Sequence, residues 1–328
     1  MVLDGFTVVE QIAGGMCSQV LRAIRNADGL RVVLKCYDTK NKADGMFAHI
    51  PSEGSEPILK ESYFLKKVQN VGGCVKMVDF FCDNVHDQYV IVLEDLSSLG
   101  FVRLTQEIIN DNNFLTESTI AWIMRELIHT LQQIHDLNIL HCDIKPDNIF
   151  IHPTEKRIKL LDFNIATEVI PHQLLLPNSK PIACTPEYAP PEVLIHQHPW
   201  TLAGEVWSLG VTAFVLLCKK FPFTDPFSCH RMQPEYPEDL NLTWERGSRD
   251  RVHYAEKNAS KSKITNTHLS LKAKDFLITC LHKKPQCRPS FQRLAMHAFL
   301  FSDQPPGASL GVNSFLMKSH MHVSAQAS

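Results

Sequence analysis

Alternating apolar and polar positions dominate the first third of this chain. Alternation with a period of two is typical of half-buried β-strands, and turn residues such as Asp28 and Gly29 separate the runs. Residues 58–68 instead carry apolar side chains at helical spacing, and the polar stretch 38–57 before them is typical of a loop. Strands are predicted at residues 6–12, 20–24, 30–37, 76–82 and 89–93.

Helical periodicity takes over after Leu96. Residues 120–135 repeat apolar positions at i, i+3 and i+4, and the Thr-Glu-Ser-Thr sequence that begins at Thr116 is typical of a helix start. Further helices are predicted at 207–218 and 269–281, and short strands and loops at 138–162.

This change of pattern divides the chain into two expected lobes and a tail. A small strand-rich lobe with one helix covers residues 1–95, and a larger, mainly helical lobe covers residues 96–301. Strands followed by helices in this order predict an α+β fold. Residues 302–328 are rich in Ser, Gly, Pro and His, and we expect them to form a mobile tail.

Composition narrows the possible partners and the location. The 328 residues are 44% hydrophobic, which is ample for a large core. A net charge of −2 predicts no general attraction to nucleic acid or to a membrane surface. The most apolar run, 209–218, is about half as long as a membrane span. Ten cysteines without a CxxC pair, and no visible signal peptide, predict reduced thiols and a cytoplasmic or nuclear location.

The segment 141–148, with the sequence HCDIKPDN, holds a carboxylate, an ammonium and a carboxamide at fixed offsets. Another carboxylate, Asp162, follows an apolar strand farther along. Phosphoryl transfer to a hydroxyl needs metal ligands, a cation on the phosphate and a carboxylate near the incoming hydroxyl. Asn148 and Asp162 offer oxygen ligands that suit Mg²⁺. Lys145 offers the cation, and Asp143 offers the base.

These motifs resemble the eukaryotic protein kinase family, whose pattern is HRDLKxxN followed by DFG. Here the motifs are HCDIKPDN and DFN, and the match runs in chain order over roughly residues 6–300. The resemblance implies a bilobal α+β fold in which a small antiparallel sheet and one helix form the first lobe. It implies ATP and Mg²⁺ as cofactors, with Asp143 as catalytic base, Lys145 on the γ-phosphate, and Asn148 and Asp162 on the metal. A lysine two residues after the base is the serine/threonine form of this loop, so the implied substrate is a protein Ser or Thr hydroxyl.

Residues 32–35 resemble the kinase strand whose lysine contacts the α- and β-phosphates, which assigns that role to Lys35. Its ion-pair partner should lie on the following helix. Glu61 fits because apolar residues follow it at helical spacing, whereas Glu53 and Glu56 precede that pattern and are weaker candidates.

Residues 12–20, with the sequence IAGGMCSQV, lie between two predicted strands and resemble the kinase phosphate loop GxGxxGxV. Because Val20 fixes the register, Ala13 and Ser18 stand at the first and third glycine positions. Both are small, so we expect the loop to persist with weaker ATP binding. The alternative is that Gly14 and Gly15 only close a β-hairpin turn and do not bind phosphate. The implied nucleotide contacts in this loop are Ile12, Ala13, Gly14, Gly15, Ser18 and Val20.

The resemblance also implies a slot for the adenine ring between the lobes. Val33, where alanine is usual, and Phe150 would enclose the ring, and Leu93 would close the back of the slot. Glu94, Asp95 and Leu96 would offer backbone groups to the adenine, so their side chains matter less.

The segment 184–192, CTPEYAPPE, resembles the kinase segment GTPEYxAPE. Thr185 would contact both the base and the catalytic lysine, and Glu192 would pair with Arg288 late in the chain. Glu205 replaces the aspartate of the family motif DxWSLG, which ties down the catalytic loop, and its extra methylene changes the geometry of that tie.

Two departures from the family pattern carry expectations of their own. Cys142 replaces the arginine that pairs with a phosphorylated activation loop in most kinases, so we expect activity that does not require phosphorylation at Thr167 or Ser179. Asn164 replaces the glycine after Asp-Phe. Asparagine tolerates a left-handed conformation, and we expect it to hinder a flip of the Asp-Phe unit.

A pseudokinase that serves as a scaffold or nucleotide-binding module is the alternative function. The altered glycines, Cys142, Asn164 and Glu205 favour it. The complete set of catalytic charges opposes it, because unpaired charges are costly to keep.

Three other features are weaker signals. Residues 224–268 form a long segment that is either a solvated loop or a docking insert for a partner. The His-x-His pairs at 196–198 and 320–322 lack further ligands, so we expect no metal there. Cys17 is more simply a structural thiol than a reactive one.

Overall fold

The computed structural model describes the chain in seven stretches, residues 3–14, 18–39, 47–48, 58–106, 115–169, 183–234 and 269–302.

Five antiparallel strands form the main sheet of the first lobe, in the order β1-β2-β3-β7-β6. The strand positions predicted from alternation are confirmed, with ends that move by one to two residues. Two-residue strands β4 and β5 pair beside this sheet. The strands of this lobe are β1 (Phe6–Gly14), β2 (Ser18–Arg25), β3 (Arg31–Asp38), β4 (Phe47–Ala48), β5 (Ile58–Leu59), β6 (Met77–Asp83) and β7 (Gln88–Glu94).

Period-two alternation divides the side chains of the main sheet between two faces. Val32 and Leu34 of β3 are buried in a small cluster with residues of β2 and β7. Val33 and Tyr37 lie on the opposite face, in the main core that continues into the second lobe. Lys35 shares this second face because it lies two residues from each of them.

One helix, α1 (Lys60–Lys67), packs beside this sheet. The predicted helix at 58–68 was wrong at its start, because Ile58 and Leu59 pair with the short strand β4. The remaining eight residues keep the expected periodicity and bury Tyr63, Phe64 and Leu65.

The second lobe is mainly helical, which confirms the α+β fold. Hydroxyl side chains cap its helices: Thr116, Thr201 and Ser270 each accept a hydrogen bond from the backbone N–H three residues later. Besides the helical residues 104–106, the α-helices described here are α2 (Glu117–Asp136), α3 (Pro191–Leu194), α4 (Leu202–Cys218), α5 (Leu271–Cys280) and α6 (Phe291–Leu294). Short strands accompany them: β8 (Val102–Arg103), β9 (Ile139–Leu140), β10 (Ile149–His152), β11 (Arg157–Leu160) and β12 (Thr167–Glu168).

Helix α4 runs through the middle of the second lobe and is buried along almost its whole length. It begins at Leu202, five residues before the predicted start at 207, because the Thr201 cap opens the helix ahead of its apolar run. A Cβ atom at Gly210 would lie 2.6 Å from the Cβ atom of Cys280, so glycine is required where α4 crosses α5. Within the described stretches, no helix is both long and apolar enough to cross a membrane.

Candidate active site

A buried carboxylate holds the loop between β9 and β10. Glu205, in the first turn of α4, accepts hydrogen bonds from the backbone N–H of His141 at 2.5 Å and of Cys142 at 2.8 Å. Its other oxygen lies 2.5 Å from Nε2 of His135, near the end of α2. Burial alone would raise the pKa of Glu205, but the hydrogen bond from His135 and the loop N–H groups lower it below its ordinary value. Glutamate therefore forms the backbone tie despite its extra methylene.

The loop that Glu205 holds presents Asp143 among three polar partners. Oδ2 of Asp143 lies 2.7 Å from Nζ of Lys145 and accepts a hydrogen bond from the Asn148 amide at 2.8 Å. Oδ1 accepts a hydrogen bond from the Thr185 hydroxyl at 2.6 Å, and that hydroxyl accepts one from Lys145 at 2.8 Å. Four residues predicted from two separate motifs, 141–148 and 184–192, therefore meet at one carboxylate.

Cys142 precedes this carboxylate in a left-handed conformation, with φ of 66°. Its side chain is 2% exposed, and burial raises the pKa of the thiol well above its ordinary value. A buried neutral thiol offers no charge to a phosphate.

Lys35, Glu61 and Asp162 form a charged group between the lobes. The ammonium of Lys35 lies 2.8 Å from Oε1 of Glu61 on α1 and 3.1 Å from Oδ1 of Asp162 after β11. Glu61 is thus the partner of Lys35, as predicted from the helical pattern. Asp162 has a left-handed backbone, with φ of 66°, which turns its carboxylate towards β3.

The pKa values of these groups follow from burial and mutual charge. Burial alone would lower the pKa of Lys35, but the carboxylates of Glu61 and Asp162 outweigh it and raise that pKa. Burial would raise the pKa of Asp162, but the charge and hydrogen bond of Lys35 lower it. At Glu61 burial dominates, and its pKa is raised. Lys35 and Asp162 are therefore an ammonium and a carboxylate at neutral pH.

The predicted phosphate loop joins β1 to β2 above this group. Ala13 pairs with Val20 across the hairpin, and Val20 pairs in turn with Lys35 on β3. Ile12, Ala13 and Gly14 are exposed, and Ser18 and Val20 are half-buried. Val20 therefore lies beside the lysine expected to contact phosphate, whereas Gly15 falls outside the described residues.

The apolar residues predicted for the adenine slot all belong to the main core, which extends through both lobes. Val33 is the cross-strand partner of Leu93, and both belong to the main core together with Leu96 and Phe150. The Glu94 carboxylate is engaged elsewhere, because it accepts hydrogen bonds from Nζ of Lys159 at 2.8 Å and from the backbone N–H of Lys76 at 2.9 Å.

The predicted pair of Glu192 and Arg288 is confirmed as a two-fold contact, with N–O distances of 2.6 and 2.9 Å. Arg288 also donates to the carbonyl of Ala203 at 2.8 Å and packs its guanidinium over the ring of Trp207. This buried pair ties α3, and with it the end of the Thr185 segment, to the lobe.

Two residues of this site, Tyr37 and His135, were missed from the sequence. The Tyr37 hydroxyl contacts both Glu61 and Asn164, and His135 contacts Glu205. The period of two along β3 could have predicted that Tyr37 faces the site, because Tyr37 lies two residues after Lys35 and therefore on the same face of the strand. Asn164 does not adopt the left-handed conformation that asparagine tolerates, whereas Cys142 and Asp162 do.

Several predicted features lie outside the described residues, namely Cys17, Glu53, Glu56, Ser179, the His pair at 320–322, residues 235–268 of the long segment and almost all of the tail. The rings of His196 and His198 lie 5.8 Å apart. In the part of the chain that is described, no group of His, Cys, Asp and Glu side chains is arranged to hold a metal on its own.

Comparison with models of known protein families finds a match over most of the chain. The family model described as "Protein kinase domain" matches residues 6–300. This range contains every residue of the candidate site.

Several protein kinases are similar to this chain at modest identity. Myosin light chain kinase 3 of Mus musculus is 27% identical over 312 residues, which are 94% of this chain and 34% of that protein. Serine/threonine-protein kinase ULK3 of Homo sapiens is 27% identical over 317 residues, 94% of this chain and 58% of that protein. Putative ribosomal protein S6 kinase alpha-2 of Caenorhabditis elegans is 28% identical over 323 residues, 93% of this chain and 36% of that protein. The chain thus spans 34% to 58% of the length of these relatives.

Proposed function

This chain belongs to the protein kinase family, and from that premise we propose that it transfers the γ-phosphate of ATP to a serine or threonine hydroxyl of a protein substrate. The observation that carries the proposal is the set of contacts at Asp143, where a carboxylate, Lys145 and the Thr185 hydroxyl lie within 2.8 Å of one another. Kinases with serine/threonine specificity among the similar proteins support the choice of acceptor.

In the proposed reaction, Asp143 accepts the proton of the incoming hydroxyl. Donors from Asn148 and Thr185 fix the orientation of its carboxylate. Lys145 lies beside the same carboxylate and supplies positive charge where the transferred phosphoryl group passes.

Asn148 and Asp162 are the proposed ligands of Mg²⁺, and their donor atoms fit that ion. The Asn148 nitrogen bonds Asp143, so its carbonyl oxygen is the atom that suits a metal. Asp162 uses Oδ1 for Lys35, and its second oxygen is a hard anionic ligand of the kind Mg²⁺ prefers. When bound, Mg²⁺ supplies charge neutralisation at the phosphates.

Lys35 is the proposed contact for the α- and β-phosphates, and the Val33, Leu93, Leu96 and Phe150 cluster is the proposed adenine slot. Glu61 and Asp162 hold the ammonium of Lys35 from two sides, so it is oriented before a nucleotide arrives. The exposed residues of the β1–β2 hairpin complete the proposed nucleotide site.

Replacement of Asp143 by Asn tests this function. Because the amide cannot accept the hydroxyl proton as a base, transfer of labelled phosphate from Mg-ATP to a Ser/Thr substrate should fall by about 10²- to 10⁴-fold. The control is Asp79→Asn, an exposed carboxylate on β6, which should leave transfer unchanged. Equal transfer by the two variants would contradict the role of Asp143.

The scaffold alternative gives a different result in the same assay. A nucleotide-binding module would show no transfer by the unaltered chain, although Mg-ATP would still raise its melting temperature. We also propose a cytoplasmic or nuclear location and a docking partner at residues 224–268.

We further propose that activity does not require activation-loop phosphorylation. The buried, neutral thiol of Cys142 supports this, because the usual phosphate-binding arginine has no counterpart at that position. Thr167→Ala and Ser179→Ala should each retain phosphate transfer within about two-fold, since each removes only a possible phosphorylation site. Circular dichroism would first establish that each variant is folded. Loss of phosphate transfer in a folded variant would contradict the proposed independence from phosphorylation.

A further inference from the structure

One buried tyrosine hydroxyl joins three elements of the proposed active site. Tyr37, on β3, is 2% exposed. Its hydroxyl oxygen lies 2.8 Å from Oδ1 of Asn164, in the turn after β11, and is also in hydrogen-bond contact with Oε2 of Glu61 on α1. The other oxygen of Glu61 binds Lys35. Both oxygens of the glutamate are therefore held, one by the strand lysine and one by the strand tyrosine.

A phenol carries one proton and two acceptor lone pairs, so it can bridge two polar groups. When the proton goes to the Glu61 carboxylate, the phenol oxygen can accept from the Asn164 amide, because rotation of the amide exchanges its oxygen and nitrogen. Burial raises the pKa of Tyr37 well above its ordinary value, so the hydroxyl keeps its proton at neutral pH.

The position of Asn164 gives this bridge its consequence. It follows Asp162 and Phe163 directly, and Phe163 is fully buried with its ring 4.7 Å from the ring of His141. Displacement of the Asp162–Phe163 unit must therefore break the Tyr37 contact as well as unbury the phenylalanine. A glycine at 164 would have no side chain to bond Tyr37, so this restraint exists because the chain has asparagine there.

We propose that Tyr37 is a positioning residue. Its hydrogen bonds to Glu61 and Asn164, which we call the lock, hold α1 and the turn 162–164 together so that Glu61 and Asp162 both keep their ion pairs with Lys35. Its importance for phosphate transfer rests on the proposed function. The lock itself is measurable without any turnover.

Tyr37→Phe tests the lock, because it removes the hydroxyl and keeps the ring. The measurement is backbone amide hydrogen exchange in the full chain, followed by mass spectrometry of peptides that cover residues 162–166. The Ala166 N–H donates to the Phe163 carbonyl at 3.2 Å and reports opening of this turn. Loss of one net hydrogen bond should accelerate exchange there by roughly 2- to 12-fold.

Tyr89→Phe is the matched control. Tyr89 is the cross-strand partner of Tyr37 on β7, and its ring packs against Phe47 and Phe80. This variant should leave exchange at 162–166 unchanged. Equal acceleration in both variants would mean general softening of the sheet and would overturn the proposal, as would unchanged exchange in Tyr37→Phe.

Asn164→Ala supplies a second variant, in case Tyr37→Phe folds poorly. Alanine removes the amide without adding the backbone freedom of glycine. It should accelerate the same peptides by a similar factor, and the double variant should exchange no faster than the faster single variant, because both break one bridge. Multiplication of the two effects would overturn the lock.

Phosphate transfer then separates the lock from the proposed function. If the lock and the proposed function are both correct, Tyr37→Phe should lower kcat about 10-fold with little change in KM for ATP. The reason is that Lys35 keeps its charge but loses its fixed geometry. Faster exchange in Tyr37→Phe without transfer by any variant would support the lock and contradict the proposed function. Faster exchange with unchanged kcat would overturn the positioning role.

Discussion

A single hydroxyl, that of Thr185, connects the proposed base to the proposed phosphate-binding lysine. It donates to Asp143 and accepts from Lys145, so it orients both charged groups at once. Thr185→Val keeps the shape and removes both hydrogen bonds. Because hydrogen bonds to charged groups are worth about 1.5–3 kcal/mol, we expect kcat for phosphate transfer to fall by about 10- to 100-fold.

Thr185→Ser is the control, since serine keeps the hydroxyl and loses only a methyl group. It should stay within about three-fold of the unaltered chain in the same steady-state assay. If serine and valine variants lost kcat equally, the methyl contact rather than the hydroxyl would matter, and the orienting role of Thr185 would be wrong.

At this residue scale, the sequence could predict groups whose chemistry is fixed by local order. Asp143, Lys145 and Asn148 share one short loop, so their meeting needs little knowledge of the fold. Tyr37 and Asn164 are 127 positions apart, and their contact depends on how β3 lies against the turn after β11. No local pattern encodes such a contact.

At the scale of secondary-structure elements, Glu205 fastens the catalytic loop to α2 and α4 together. His135 provides the α2 contact and also packs edge-on against Phe291, with ring centroids 4.4 Å apart. His135→Leu keeps apolar volume and removes the donor, which leaves a fully buried carboxylate oxygen without that partner. We expect the free energy of unfolding to fall by about 1–3 kcal/mol, measured by urea denaturation.

His129→Leu is the matched control on the same helix, because His129 is exposed. Its effect should lie within about 0.5 kcal/mol. His135→Gln restores a donor and should recover part of the loss. A His135→Leu variant as stable as the control would contradict the proposed tie.

The elements themselves show where sequence patterns suffice. Sequence patterns located the five main strands, which are seven to nine residues long. The alternation of buried and less buried side chains is clearest in β3, where Val32, Leu34 and Cys36 are buried. The β4–β5 pair was missed because two residues cannot establish a period, and pairing with a distant partner decides their conformation. The start of α4 was missed because a polar cap at Thr201, rather than an apolar repeat, begins the helix.

At the scale of the whole molecule, carboxylates that are wholly or partly buried make folding sensitive to acid. The pKa values of Glu205 and Asp162 are lowered in the folded chain, so each contributes stability above its unfolded pKa and loses it as the pH falls through the lower, folded value. Glu61 acts in the opposite sense, because its raised pKa lets the folded state bind a proton first. Glu61 therefore lowers stability above its folded pKa, and this loss is recovered as the pH falls to about 4.5, a range in which the contributions of Glu205 and Asp162 do not change.

The Glu205 contribution can be isolated because glutamine keeps the shape and does not titrate. We expect the urea midpoint of the unaltered chain to fall steeply as the pH drops below the ordinary glutamate pKa of 4.5. Glu205→Gln should start from a lower midpoint at pH 7, since a neutral amide accepts the loop N–H bonds more weakly. Its profile should then be flatter below pH 4.5, so the two curves converge on acidification. Parallel curves would mean that Glu205 has the same pKa in the folded and unfolded chain, and would exclude it as a source of acid sensitivity.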